Sequence, residues 1–256
     1  LKSQGQIISA SRRTDIPAHF SRWFLQRLRE GYALVRQPYS GRIGSVSLLP
    51  EDIHSIVFWS KNPSPLLGHL GDVEKVSPRL FFHITLTGVP RVLEPGTPPE
   101  TEVMHDIRFL AKRYSPDHVV WRFDPIVLTA DTPFAEYEAR FSRMAEVMRG
   151  HVRRCVVSFV HPYQKVLSRF KSSGQVPVTP ASRERARLAL RLSELAGRAQ
   201  MALHACCNDE ILSRGAVRRA SCIDGGYLAG LFGAADRDGR AAPTRRGCGC
   251  TRSIDI

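Results

Sequence analysis

Cys206, Cys207, Cys222, Cys248 and Cys250 are five of the six cysteines in this chain, and the last two stand as Cys248-Gly249-Cys250. Thiolates are soft ligands, so a late gathering of this kind suits a soft metal ion or an iron–sulfur cluster. Buried structural thiols and disulfides are the competing fates. Disulfide frameworks belong to short secreted chains that cannot build a core. This chain has 256 residues at 43% hydrophobic content, without a signal peptide or an apolar span fit to cross a membrane, so a reducing, cytoplasmic setting is expected.

Adjacent cysteines rarely serve one ion, so Cys206, Cys222, Cys248 and Cys250 make the most economical four-thiolate set, with Cys207 packed beside it. Structural zinc sites usually use Cys-x-x-Cys pairs. The spacing here is irregular for that, and suits a cluster, expected as four-iron four-sulfide, at least as well as zinc.

A second group of chemically able residues follows the apolar runs. Arg12, Arg13, Lys61 and Arg122 are suited to clamping a phosphate or carboxylate. Asp15 and Asp124 lie among them, either as working carboxylates or as ion-pair partners that hold the fold. Asn62 stands beside Lys61, and Lys61, Asn62 and Arg122 are candidate cofactor contacts. His118, His151, His161 and His204 lie near strands, but a histidine there serves equally as base, ligand or wall. The 37 Lys and Arg against 24 Asp and Glu leave a formal charge of +13. Such a balance attracts polyanions, so nucleic acid is a candidate partner beside an unknown small-molecule or polyanionic substrate. Scattered basic charge that merely keeps the protein soluble is the plainer reading.

These residues need a frame. Apolar runs predict strands at Gln6–Ala10, Ser55–Trp59, Leu80–Thr85, His118–Phe123, Cys155–Phe159 and Met201–Ala205, nearly continuous in the manner of parallel strands buried on both faces. Helices are predicted at Ala18–Glu30, Pro65–Val73, Glu100–Arg113, Phe134–Arg149 and Ser182–Ala199, with Asp15, Thr132 and the Thr179-Pro180 step as starts. Tyr32–Leu49 reads as a hairpin and Leu86–Pro99 as an extended loop. The alternation argues for an α/β fold, and a barrel or partial barrel is expected because no glycine-rich phosphate fingerprint follows the first strand. Residues 1–205 would form the barrel and 206–256 a cysteine-rich segment packed on it as one structural unit. In a barrel, the polar strand ends would form the active-site mouth.

The order of motifs resembles a known family. Ile-Ile-Ser-Ala-Ser-Arg-Arg-Thr-Asp-Ile-Pro at 7–17, Ile-Val-Phe-Trp-Ser-Lys-Asn-Pro at 56–63, Trp-Arg-Phe-Asp-Pro-Ile at 121–126, Ser-Phe-Val-His-Pro-Tyr at 158–163, Ser-Cys-Ile-Asp at 221–224 and Cys-Gly-Cys-Thr-Arg-Ser-Ile-Asp-Ile at 248–256 are together similar to the bacterial family called domain of unknown function 1848. The resemblance implies a relative of radical SAM enzymes, using S-adenosylmethionine and a reductant such as ferredoxin or flavodoxin. It implies that Cys206, Cys222, Cys248 and Cys250 hold an auxiliary cluster or metal. It also implies a Cys-x-x-x-Cys-x-x-Cys triad after Ser253 to Ile256, past the last residue of this sequence. Cys207 and Asn208 stand where relatives are expected to carry a small residue and an acid, and His161 where they are expected to carry Asp. A zinc-stabilised nucleic-acid-binding protein and a non-catalytic metal-bound barrel are the rival readings.

Overall fold

The computed structural model describes residues 5–37, 40–161, 163–233, 241–243 and 247–256. In chain order the strands are β1 (Gln6–Ser9), β2 (Tyr32–Arg36), β3 (Ile43–Ser47), β4 (Ile53–Ser60), β5 (Leu80–Thr85), β6 (Val119–Ile126), β7 (Arg154–Phe159), β8 (Ala202–Ala205), β9 (Val217–Arg219) and β10 (Ile254–Asp255). The helices are α1 (Ile16–His19), α2 (Ser21–Glu30), α3 (Ser64–Leu67), α4 (Leu70–Val76), α5 (Glu100–Arg113), α6 (Phe134–Val147), α7 (Gln164–Ser173), α8 (Ser182–Arg198) and α9 (Gly225–Phe232). Eight strands are parallel, flanked by helices, in an α/β fold; β2 and β3 form a separate antiparallel hairpin.

The chain divides into two compact units. The first comprises Leu1–Ile84, Ser221–Thr244 and Gly249–Ile256. Its strands are ordered β10-β1-β4-β5. β4 and β5 are buried almost throughout, as continuous apolar runs in a covered parallel sheet should be. Phe58 lies between Phe24 at 5.6 Å, edge-on, and Phe82 at 5.5 Å, stacked. The predicted first helix is interrupted: Asp15 caps α1 by accepting from the Ala18 amide at 3.1 Å, the backbone leaves helical geometry at Phe20, and α2 runs on to Gly31. Gly31 has φ of +77°, which glycine adopts without a Cβ penalty.

The second unit comprises Thr85–Ala220 and Arg245–Cys248, with strands ordered β6-β7-β8-β9. Its core is aromatic. Trp121 stacks on Phe141 at 4.9 Å, and Phe123 meets Phe141 and Tyr137 edge-on at 5.1 and 5.9 Å. The Trp121 indole donates to the Leu86 carbonyl at 2.9 Å, so the segment expected as an extended loop is anchored at its start. Further along, Leu93 is buried with Val127 and Phe170, the last from α7, a helix absent from the sequence reading. Thr132 does not cap α6; its hydroxyl bonds Thr129 instead. At α8 the start lies at Ala181, whose amide donates to Glu184, rather than at Thr179-Pro180.

The expected barrel is not closed. Barrel closure requires every strand to be paired on both sides. Among the described residues β10 pairs with β1 alone and β9 with β8 alone, and each is a two- or three-residue edge. No described helix is long and apolar enough to cross a membrane.

Tyr137 carries a pH dependence. Its side chain is fully buried, and its hydroxyl donates to the Val127 carbonyl at 2.6 Å while accepting from the Val127 amide at 3.0 Å. Burial, partly offset by the bond from the Val127 amide, raises the phenol to about 12. An unfolded tyrosine ionises near pH ~10. Between these values the folded state binds more protons than the unfolded state, so stability present below about pH 10 is lost as pH rises towards about 12. Tyr137→Phe should flatten this part of the stability curve, read by chemical denaturation at neutral and alkaline pH. An unchanged slope would remove Tyr137 as its source.

Candidate functional site

In the first unit the strand ends form a chain of contacts. The Arg12 guanidinium lies 5.7 Å from the centre of the Trp59 ring and 3.5 Å from the Asp255 carboxylate. Trp59 and His83 are cross-strand partners in the parallel register of β4 and β5, and their rings stack at 4.9 Å. His83 is 2% exposed, and its Nε2 is 2.8 Å from the Cys222 carbonyl. A carbonyl can only accept, so this nitrogen carries the hydrogen.

Cys222 begins a tightly tied segment. The Ser221 hydroxyl donates to the Gly249 carbonyl at 2.8 Å, and the Thr251 amide donates to the Ile223 carbonyl at 2.9 Å. The Gly225 amide donates to the Thr251 hydroxyl at 3.0 Å. Within this lacing the Ile223 amide points at Cys250 Sγ from 3.4 Å. Amide-to-sulfur bonds stabilise negative charge on sulfur, as a thiolate ligand requires.

Asp15, expected as a helix start and as either a working carboxylate or an ion-pair partner, is committed to backbone: Oδ1 caps α1 and Oδ2 accepts from the Lys61 amide at 3.1 Å. It therefore shapes the loops after β1 and β4. The Asn62 amide donates to Ser60 Oγ at 2.9 Å, and the Arg13 guanidinium donates to the Arg36 carbonyl.

In the second unit Arg122 and Asp124 pair directly on β6, and the Ser158 hydroxyl of neighbouring β7 donates to the other Asp124 oxygen. Both carboxylate oxygens are thus engaged within a buried polar knot. On either side of Ser158 in β7, the Cys206 amide donates to the Val157 carbonyl at 3.0 Å, and the Asn208 carboxamide accepts from the Phe159 amide at 2.8 Å. Cys206 and Cys207 have their sulfurs 3.7 Å apart. Arg219 ties this turn down, donating to Asp209 at 2.6 Å and to the Gly247 carbonyl at 2.8 Å, one residue before Cys248.

The second unit thus holds Cys206, Cys207 and Cys248, and the first Cys222 and Cys250. The sixth, Cys155, is fully buried, and burial pushes its thiol well above the ordinary range, which makes it inert. All six are thiols. Among the described residues no group of three or more His, Cys, Asp or Glu side chains is arranged to hold a metal ion.

A family model described as domain of unknown function (DUF1848) matches residues 7–256. The chain belongs to that family. Neither a curated protein nor a solved structure matches it. The segments that carry the resemblance coincide with the contacts above: Trp59 and Lys61 lie in one, Arg122 and Asp124 in another, and Cys222, Cys248 and Cys250 in the last two. Sequence reading passed over His83, which interrupts the apolar run of β5 and was the one available signal. Three of the histidines expected near strands have partners close in sequence, His204 through its Nδ1, 3.2 Å from the Ala202 carbonyl. The His118 ring is stacked on Tyr114 and bonded to Ser115, and burial lowers its pKa; His161 packs edge-on against Tyr163.

Proposed function

We propose that this DUF1848 member is an iron–sulfur protein of radical SAM type in which Cys206, Cys222, Cys248 and Cys250 are thiolate ligands of an auxiliary cluster. The observation that carries the reading is the amide of Ile223 directed at Cys250 Sγ beside Cys222, whose own carbonyl is held by His83. The chemistry of the donors, unbridged cysteine sulfurs on laced backbone, is the kind a soft centre takes. Such a cluster, when bound, supplies single electrons. The chain's residues do the rest. His83 and Ser221 fix the backbone that presents Cys222, and Arg219 fixes the turn before Cys248. Arg12, Arg13, Lys61 and Asn62 in the first unit, and Arg122 in the second, supply charged and polar strand ends suited to the carboxylate of S-adenosylmethionine or to an anionic substrate. Asp15 and Asp124 position these groups.

Zinc in place of a cluster, on a nucleic-acid-binding protein, is less well supported. Arg185, Arg191 and Arg219 are each engaged by carboxylates, which draws basic charge away from a phosphate-binding face.

Anaerobically purified protein should contain iron and acid-labile sulfide with visible charge-transfer absorption. The double variant Cys222→Ser/Cys250→Ser should lose most of that iron while keeping its far-ultraviolet circular dichroism. Stoichiometric zinc without sulfide would sink the iron–sulfur reading. Tight binding of nucleic acid that persists at physiological salt would favour the rival.

A further inference from the structure

Cys207 has no part in the four-thiolate set, yet its placement is specific. Its sulfur is 3.7 Å from that of Cys206. Its backbone has φ of +55°, a left-handed conformation that residues with a Cβ rarely adopt. The surrounding contacts over-determine that conformation. Asn208 is pinned to Phe159, Cys206 to Val157, and Gly247 comes so close that an added Cβ there would sit 3.3 Å from the Cys207 Cα. Locally strained backbone held by its surroundings is a mark of function.

We propose that Cys206 and Cys207 form a reversible vicinal dithiol–disulfide pair, a modification site for low-molecular-weight disulfides. The sulfurs must approach from 3.7 Å to a bond length of about 2.05 Å, a movement on the scale of side-chain torsions. Adjacent Cα atoms are ~3.8 Å apart, closer than the ~4.4–6.8 Å spanned by ordinary disulfides. The bridge is therefore strained, and strained bridges are the readily reduced, regulatory ones. Cys207 is partly exposed whereas Cys206 is 6% exposed, which sets the order of events. The Cys207 thiolate attacks one sulfur of the small disulfide and expels a thiol. The Cys206 sulfur then attacks Cys207 Sγ, expelling the second thiol. Two protein thiols thereby lose a pair of hydrogens, and the small disulfide is reduced to two thiols.

This inference stands on unit-two geometry and does not depend on a cluster being present. Where a cluster is present, the bridge would remove Cys206 from its ligands. The test is to equilibrate native protein, both as isolated and after chelator treatment, across rising ratios of oxidised to reduced glutathione. Acid quenching, alkylation under denaturing conditions and peptide mass spectrometry then read each cysteine. The peptide containing Cys206 and Cys207 is expected to lose a pair of hydrogens, escape alkylation, and recover with dithiothreitol. In folded Cys207→Ser protein, Cys206 should remain alkylatable or carry glutathione. Full alkylation of both cysteines at every ratio, a stable glutathione adduct on wild-type Cys207, or bridging of either cysteine to a different one would overturn the proposal. Iron and zinc content of the as-isolated sample tests the cluster reading separately.

Discussion

Asp124→Ala is expected to destabilise the protein by about 3–5 kcal/mol, because it removes the carboxylate from a buried guanidinium. Arg122 and Asp124 side chains are only 8% and 13% exposed, so solvent does little to screen the pair. The same substitution strips the Ser158 hydroxyl of its acceptor, adding a second lost hydrogen bond inside the unit. Asp124→Asn keeps an acceptor for one of these donors and should lose less. The discriminating comparison is the double variant Arg122→Met/Asp124→Leu. If the penalty comes from an uncompensated buried charge, the double variant should be more stable than Asp124→Ala, despite carrying more changes. Urea denaturation gives all these values. A cost under about 0.5 kcal/mol for Asp124→Ala, the range of ordinary surface changes, would mean that the knot is not structural.

Trp121→Ala should cost about 3–5 kcal/mol, in the range seen for deleting a large buried aromatic. Trp121 is 0% exposed and is stacked on Phe141, with Phe123 edge-on at 5.6 Å. Part of its role is polar. The indole hydrogen bond to the Leu86 carbonyl holds the segment that leaves β5, and Leu86 returns its own amide to the Arg122 carbonyl at 3.0 Å. Trp121→Phe retains most of the apolar area but abandons that carbonyl, so its loss should be about 1–3 kcal/mol. Faster limited proteolysis within 86–99 in Trp121→Phe would report the local anchor. Equal proteolysis in the two proteins would confine the effect to the core.

How much of this was legible depends on the range of the forces involved. All six predicted strands exist, since each is a run of apolar residues whose burial follows from its own composition. Several missed elements are small or weakly patterned: β9 has three residues, β10 two, and α9 opens on Gly225-Gly226, whereas α7, ten residues long, was passed over despite its apolar positions at helical spacing. A barrel was expected from the strand–helix alternation and the lack of a glycine-rich fingerprint, and an unclosed parallel arrangement was found, because strand repeats do not reveal whether the outermost edges meet. The candidate site divides in the same way. The cysteine gathering is visible in the chain, as are the polar strand ends. The amide behind Cys250 and the histidine behind Cys222 are not.

The amino-acid sequence by itself determined the α/β class, the family, and the residue types able to do chemistry, because these depend on composition and near neighbours. Tertiary structure decided which of those groups are already occupied. Asp15 is taken up by the backbone around Ala18 and Lys61, and Asp124 by Arg122 and by Ser158, 34 residues away. His83 reaches a cysteine carbonyl 139 residues further on. Hydrogen bonds and ion pairs act over a few ångströms, so their partners are set by how distant strands are brought into register, which no local pattern encodes.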